Sequence, residues 1–394
     1  MSLYICIDCG GTKAAAVVAN AKGDILGRGQ GGPSNFKDVD LSSFIAAVRV
    51  AAERALSAVD HITPLQEDTG NAKPLLKAAW IGCSGVDREQ DVLDLTPIFS
   101  NLFSIAPGPN LIIDNDTNLL ASPLYRLPDV STAIVLVAGT GCIVTGFREG
   151  PDRTLTRLSR AGGWGWILGD EGSGYYIGRE ALRRILDASD QESTDTSSKS
   201  SSSSRPSTLH PTLAYSNPPT LQDRIFDHFG ISSAPDIFTV VYAPDPLRIG
   251  GMSRPYSFAN GNHTGNPSAP TYLSQERKAR IAGLSPVVFR SAFTDRDSTA
   301  VDVLYTAAQH CARFIARTLP QIAEGGPSAD DCVLCFGGSI AGVPEYRQLV
   351  IEILAQKGHV FQHVEYIQDP AESGALCLVE LCESRDSEDG RDAS

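Results

Sequence analysis

The sequence predicts an α/β protein of two similar lobes, on three observations. A strand–turn–strand–turn–strand unit followed by a helix occurs twice, once at the N-terminus and once near the middle of the chain. Each copy turns first on a glycine- and threonine-rich bend. Apolar residues make up 42% of the 394 positions, enough for a sizeable core, and the length fits two domains of roughly 100–200 residues each.

In the first copy, Tyr4 to Asp8 is a short apolar strand, turned by Gly10-Gly11-Thr12. Lys13 to Asn20 is the second strand, Lys22-Gly23-Asp24 the next turn, and Ile25 to Gln30 the third strand. Ser42 to Val59 follows as a helix. Lys77 to Gly82 and Asn110 to Asp114 read as short strands, and Asn118 to Tyr125 as the start of a helix. The second copy runs Thr132 to Ala138, Gly139-Thr140-Gly141, Cys142 to Phe147, Glu149-Gly150-Pro151-Asp152 and Arg153 to Ser159, with a helix over Gly172 to Asp187. Gln275 to Phe289 and Thr299 to Ile322 read as helices; the second has apolar spacing at Val301, Leu304, Ala308, Cys311, Ile315 and Leu319. Cys332 to Phe336 is a buried-type strand, Tyr346 to Gln356 a helix, and Ala371 to Leu381 a closing helix.

Between these elements lie Leu65 to Pro74 and Ser104 to Asn110, both linker-like. Ser189 to Pro219 holds the run Ser200–Ser204 and several prolines; it buries little and is expected to be a disordered insertion. The tail after Glu383 is expected to fray. On this reading 1–117 is the N-terminal lobe, 118–383 the C-terminal lobe with its insertion at 189–219, and 384–394 the tail.

Lys and Arg number 33 against 46 Asp and Glu, a net charge of −13. A phosphate-backbone binder needs a basic face, so nucleic acid is excluded as a main partner. An anionic ligand would have to be held by backbone N–H groups, helix N-termini or a metal ion. No basic region precedes the first apolar stretch, and no run of about 18 apolar residues occurs. The expectation is a soluble, cytoplasmic protein with no membrane partner and reduced thiols. Nine cysteines are too few for a disulfide scaffold. Cys6/Cys9 and Cys332/Cys335 have C-x-x-C spacing but sit in strands, where residues three apart point to opposite faces, so they read as structural. The seven histidines form no metal-ligand pair; His359 and His363 come nearest, in a strand or loop.

Five motifs carry chemistry. Asp8-Cys9-Gly10-Gly11-Thr12-Lys13 is a hairpin whose glycines let backbone N–H groups approach phosphate oxygens. Thr12 adds a hydroxyl, and Asp8 is placed to hold Mg²⁺ directly or through water. Gly139-Thr140-Gly141 repeats the bend, so the pair could clamp one polyphosphate from both sides. Asp114-Asn115-Asp116-Thr117-Asn118 joins a strand end to a helix. Its acids serve either as N-caps or as a base; Asp114 reads as the cap and Asp116 as the base, with capping left to Thr117 or Asn118 if Asp116 is catalytic. Gly162-Gly163-Trp164-Gly165-Trp166 through Gly169-Asp170-Glu171-Gly172-Ser173-Gly174 sets aromatic faces beside carboxylates, which suits a sugar. Phe336-Gly337-Gly338-Ser339 ends a buried strand before a helix, where a flat ring or ribose can lie on the backbone near a helix N-terminus.

Together these motifs resemble the actin-like ATPase superfamily of sugar kinases, Hsp70 and actin. More narrowly the chain is similar to the N-acetylglucosamine kinase group of the benzoyl-CoA reductase and 2-hydroxyacyl-CoA dehydratase activators, the BadF/BadG/BcrA/BcrD ATPase family. The likeness runs from Leu3 to about Leu381, and its most specific part is Gly162 to Ser173. The resemblance implies two ribonuclease-H-like lobes around a nucleotide cleft. It implies that Gly10, Gly11, Thr12 and Lys13 form the first phosphate motif, Gly139, Thr140 and Gly141 the second, and Gly337, Gly338 and Ser339 the adenosine motif. It also implies Asp116 as catalytic base and Asn35, Ser84, Trp164 and Asp170 as sugar contacts. Trp166 stands where the mammalian kinases of the group carry histidine. The histidine–cysteine zinc cluster of the ROK kinases is missing, and so is a C-x-x-C loop suited to an iron–sulfur activator.

The expected activity is transfer of the γ-phosphate of ATP, with Mg²⁺, to the 6-hydroxyl of N-acetylglucosamine. The partners are then an amino sugar and ATP, in a monomer or homodimer. Two other readings stay open: a kinase for another amino sugar such as glucosamine, and an ATPase that drives a partner protein.

Overall fold

The computed structural model describes residues 2–59, 76–150, 153–198, 218–249, 252–254, 271–323 and 328–392. The linker at Leu65 to Pro74 and the serine run at Ser200–Ser204 lie outside them.

The first sheet is built from β1 (Leu3–Cys9), β2 (Ala14–Asn20), β3 (Ile25–Gln30), β4 (Leu76–Cys83) and β5 (Leu111–Asp114), in the order β3-β2-β1-β4-β5. The first three form an antiparallel meander; β4 and β5 join in parallel after α1 (Leu41–Ser57) and α2 (Glu89–Phe103). After α3 (Asp116–Leu120) the second sheet repeats the plan. β6 (Thr132–Ala138), β7 (Cys142–Glu149) and β8 (Leu155–Gly162) are the meander, and β11 (Cys332–Gly337) and β12 (His363–Tyr366) are the parallel strands, giving β12-β11-β6-β7-β8. Between β8 and β11 come α4 (Gly174–Ser198), α5 (Leu221–Phe229), α6 (Asp236–Val241), a small hairpin of β9 (Leu247–Ile249) and β10 (Met252–Arg254), α7 (Arg277–Ala282), α8 (Ser285–Phe293) and α9 (Ser298–Ala323). Finally α10 (Pro344–Gln356) precedes β12, and α11 (Pro370–Asp392) follows it. The sequence duplication is therefore a duplication of sheet topology.

Several boundaries differ from the sequence expectation. Gln275 to Phe289 is not one helix: Pro286 lacks an N–H and can only sit in the first turn of a new helix, so α8 starts beside it. α2, not foreseen, tolerates Pro97 and begins on Glu89 and Asp91. α4 runs on to Ser198, through the first ten residues of the expected insertion. α11 continues to Asp392, through the segment expected to fray.

The apolar pattern decides how the layers stack. Phe44, Val48 and Phe99 of α1 and α2 cover one face of the first sheet with Ile5, Ile7 and Ile81. Ala371, Ala375 and Leu378 of α11 cover its other face with Tyr4, Cys6 and Trp80. The C-terminal helix thus returns to the sheet that opens the chain. Cys6 and Cys9 point to opposite faces, as do Cys332 and Cys335. All nine thiols are free and buried. Among the described residues no helix is long and apolar enough to cross a membrane.

α1 lies on β3 at backbone distance. A Cβ at Gly27, Gly29 or Gly31 would sit 2.0, 2.0 and 1.9 Å from the carbonyl oxygens of Ala55, Ala51 and Ala47. The partner atoms are backbone and cannot rotate away. Gly29→Ala is expected to cost about 3 kcal/mol of folding free energy, read as a lower urea midpoint; an unchanged midpoint would contradict this packing.

Candidate active site

In the first lobe the parallel strands β1, β4 and β5 end in register. Cys9 pairs with Cys83, and Gly82 with Asp114. Open α/β sheets bind ligands outside such carboxyl ends. The first glycine turn follows β1, closed by the Gly10 N–H donating to the Lys13 carbonyl at 3.0 Å. Gly11, Thr12 and Lys13 are exposed, and a Cβ at Gly11 would meet nothing. Buried Ser34 ties the following loop to this turn by donating its N–H and its hydroxyl to the Gly10 carbonyl.

Three of the residues predicted for the site then meet. The Asn35 amide donates to Ser84 Oγ at 3.4 Å, and the Ser84 side chain stands beside the Asp116 carboxylate. Burial pushes the Asp116 carboxyl up to about 6, although Ser84 and the Thr117 N–H pull it back down. Burial, then the nearby Asp116 and Asp369, raise Asp8 to about 7 against the opposing pull of Lys13. Such a crowded carboxylate fits a divalent cation, which would relieve both the burial and the repulsion.

The helix cap is neither Thr117 nor Asn118. Asn115 caps α3 through its side-chain oxygen, which accepts the Thr117 N–H at 3.0 Å. This leaves Asp116 as the first helical residue. Asp114 is not a cap either: it ends β5 and accepts from Trp80 Nε1 at 3.0 Å and the Asn118 amide at 2.9 Å. Burial raises Asp114 to about 7 despite these two donors. Its folded value lies above the unfolded one, so the stability linked to it is full below about pH 4 and lost as pH rises through about 7. Asp114→Asn is expected to flatten stability between pH 5 and 8 and to gain on the order of a few kcal/mol at pH 8. Parallel denaturation profiles of the variant and the parent would exclude this.

The second lobe assembles its own group. The Gly139 N–H donates to the Gly141 carbonyl at 2.9 Å, and the first N–H of α4, from Gly174, donates to the Gly139 carbonyl at 2.8 Å. Gly338, at φ +90°, presses on the same turn: a Cβ there would lie 2.5 Å from the Ala138 carbonyl oxygen. That oxygen accepts N–H groups from Ile340 and Ala341. Ser339 and Gly139 are thereby neighbours. The helix after this motif starts only at Pro344, so its N-terminus is not at Ser339 as the sequence suggested.

Asp170 and Trp164 stand on this lobe. Asp170 is 4% exposed and accepts the Cys142 N–H at 3.3 Å. The Trp164 ring is 55% exposed and meets Phe314 edge-on. Trp166 is turned inward against Tyr175. Among the described residues, no hydrogen bond or ring contact joins Trp164 or Asp170 to Asn35, Ser84 or Asp116.

α3 links the two groups. Its Leu119 packs with the first sheet and Leu120 with the second. A Cβ at Gly82 would be 2.6 Å from Leu119, and one at Gly337 would be 2.7 Å from Leu120. The carboxyl ends of β4 and β11 are thus held on opposite sides of a helix about 7.5 Å long. A groove of about 780 Å³ runs between the lobes from Asp8 and Lys13 to Glu365 of β12 and to Gln368 and Asp369 just beyond it. The second glycine turn is not among its lining residues. Asp369, which the sequence reading missed, is Asp8's neighbour across the groove and pairs with Arg28 at 2.5 Å. Its one sequence signal was Asp-Pro before a closing helix.

The model of the BadF/BadG/BcrA/BcrD ATPase family matches residues 123–378. The chain belongs to this family. Among curated members' relatives, the chain is 34% identical over 196 residues to an N-acetyl-D-glucosamine kinase of Dictyostelium discoideum. It is 29% identical over 198 residues to an N-acetylmuramic acid/N-acetylglucosamine kinase of Clostridium acetobutylicum. Each match covers 50% of this chain and 57% of the relative. Two solved structures, of candidate N-acetylglucosamine kinases from Chromobacterium violaceum and Porphyromonas gingivalis, share the fold. Their TM-scores are 0.54 and 0.57, at 21% and 18% identity. The alignments cover 96% and 98% of this chain and 99% of each of theirs. This ATPase family fold agrees with the two α/β lobes expected from the sequence.

Proposed function

We propose that this member of the ATPase family is an amino-sugar kinase that transfers the γ-phosphate of ATP to the 6-hydroxyl of N-acetylglucosamine. The observation that carries the reading is the group Asn35–Ser84–Asp116 at the carboxyl ends of the first sheet: a half-buried carboxylate, raised to about 6, with the Ser84 side chain beside it. The likeness to two curated kinases that share this sugar in their names supports the acceptor.

Asp116 orients the sugar hydroxyl and takes its proton as the hydroxyl attacks. Asn35 and Ser84 hold that carboxylate and offer polar contacts to the sugar, with Trp164 and Asp170 approaching from the second lobe. Backbone N–H groups of Gly10, Gly11 and Thr12, and of Gly139, Thr140 and Gly141, receive the phosphates beside Lys13. Gly337, Gly338 and Ser339 offer a flat backbone surface to the adenosine. Mg²⁺ held at Asp8 would neutralise charge on the transferred phosphoryl group. Closure of the lobes brings the two groups together and excludes water, which limits idle hydrolysis. The reaction is assigned to the cytoplasm.

The reading is tested with a panel of amino sugars and hexoses, ATP and Mg²⁺, with the phosphorylated position read by NMR. ATP turnover should rise strongly with N-acetylglucosamine, and the product should carry phosphate on the 6-oxygen. Turnover indifferent to every sugar would replace this reading with the partner-driving ATPase. The burial of all nine thiols favours the kinase over an activator that bridges an iron–sulfur cluster.

A further inference from the structure

The second glycine turn carries a charge problem that its motif does not reveal. Both carboxylate oxygens of Asp170 lie 3.1 Å from where a Cβ of Gly141 would stand. Asp170 shapes the turn by accepting the Cys142 N–H, and its backbone holds a φ of +63°, rare outside glycine. A buried anion beside a bend that is to receive a triphosphate would repel it.

Lys278 answers this. Its Nζ lies 3.2 Å from Asp170 Oδ2, and the side chain is 31% exposed. It is the only cation paired with Asp170 among the described residues. The helix that delivers it, α7, is fixed in place. Two residues on, Arg280 is fully buried and donates to the carbonyls of Tyr272, Val240, Ala243, Pro244 and Gln275. α7 also packs on α4 at backbone distance: a Cβ at Gly178 would be 2.0 Å from the Ile281 carbonyl oxygen. The ammonium is therefore presented to the turn from a rigid support.

We propose that Lys278 is a positioning residue for nucleotide binding: by neutralising Asp170 it lets the carboxylate shape the second glycine turn without repelling phosphate. This rests on the kinase reading in taking Mg-ATP as the ligand and the second glycine turn as a phosphate site. The test is calorimetric titration of the sugar-free full-length protein with Mg-ATP, so it does not depend on phosphorylation of any acceptor. K278M should weaken binding about tenfold or more, and K278R should stay within about threefold of wild type because the charge is kept. K278M/D170N leaves no unpaired buried charge and should return to within about threefold of wild type. That variant carries the test if K278M alone fails to fold. Equal affinity in K278M and wild type, or a double variant still tenfold weak, would overturn the proposal. A wild-type protein that binds no Mg-ATP would instead overturn the kinase reading.

Discussion

Asp116→Ala is expected to lower kcat for sugar phosphorylation by roughly 10²–10⁴-fold, the usual span for loss of a general base. Nucleotide affinity should stay close to wild type, because on this reading Asp116 serves the acceptor hydroxyl while backbone N–H groups of the two glycine turns receive the phosphates. The wild-type pH profile should carry the same signature. The acting form is the carboxylate, and the group is raised to about 6, so kcat/KM should fall as pH drops through about 6. Asp116→Ala should lose that acid limb along with the rate. Steady-state rates from pH 5 to 8 and a separate nucleotide titration check both halves. Near-normal turnover in Asp116→Ala would remove the base from the mechanism.

Gly338→Ala is expected to strike the other half of the site. The position combines φ +90° with a hypothetical Cβ only 2.5 Å from the Ala138 carbonyl oxygen. That oxygen accepts two N–H groups, so moving it breaks the link between the end of β6 and the loop after β11. The combined backbone and steric cost is about 3 kcal/mol. If it falls on the conformation that receives nucleotide, the dissociation constant should rise on the order of a hundredfold. Gly230→Ala is the control. It pays for a φ of +65° in open space at the end of α5, so it should lose only about 1 kcal/mol and leave nucleotide binding alone. A folded Gly338→Ala protein with unchanged affinity would separate this stack from the nucleotide.

The strands of both meanders were legible because their patterns are local: short apolar runs punctuated by Gly/Thr bends. Their pairing as two copies of one sheet plan followed from that repetition. Helix limits were less legible: the break at Pro286 and the Asn115 cap of α3 were misplaced, and α2, with Pro97 inside it, was not foreseen. Asn35 and Ser84 were named from a resemblance and Asp116 first from its strand-end motif; their meeting could not be read from spacing, because it depends on the order in which β1, β4 and β5 pair. Asp369 and Lys278 were missed, since neither sits in a glycine-rich motif and each gains meaning only from a neighbour far away in the chain.

By itself the sequence determined the α/β class, the duplicated meander, the two glycine bends and the strand placement of the paired cysteines. All of these depend on residues within a few positions of one another. The tertiary structure alone decided which carboxylates share a buried space, and therefore which are raised toward neutral pH. It alone decided that α3 stands between the sheets and that a lysine on a distant helix answers the charge of Asp170. Desolvation and Coulomb interaction depend on distance through space, and chain order does not encode that distance.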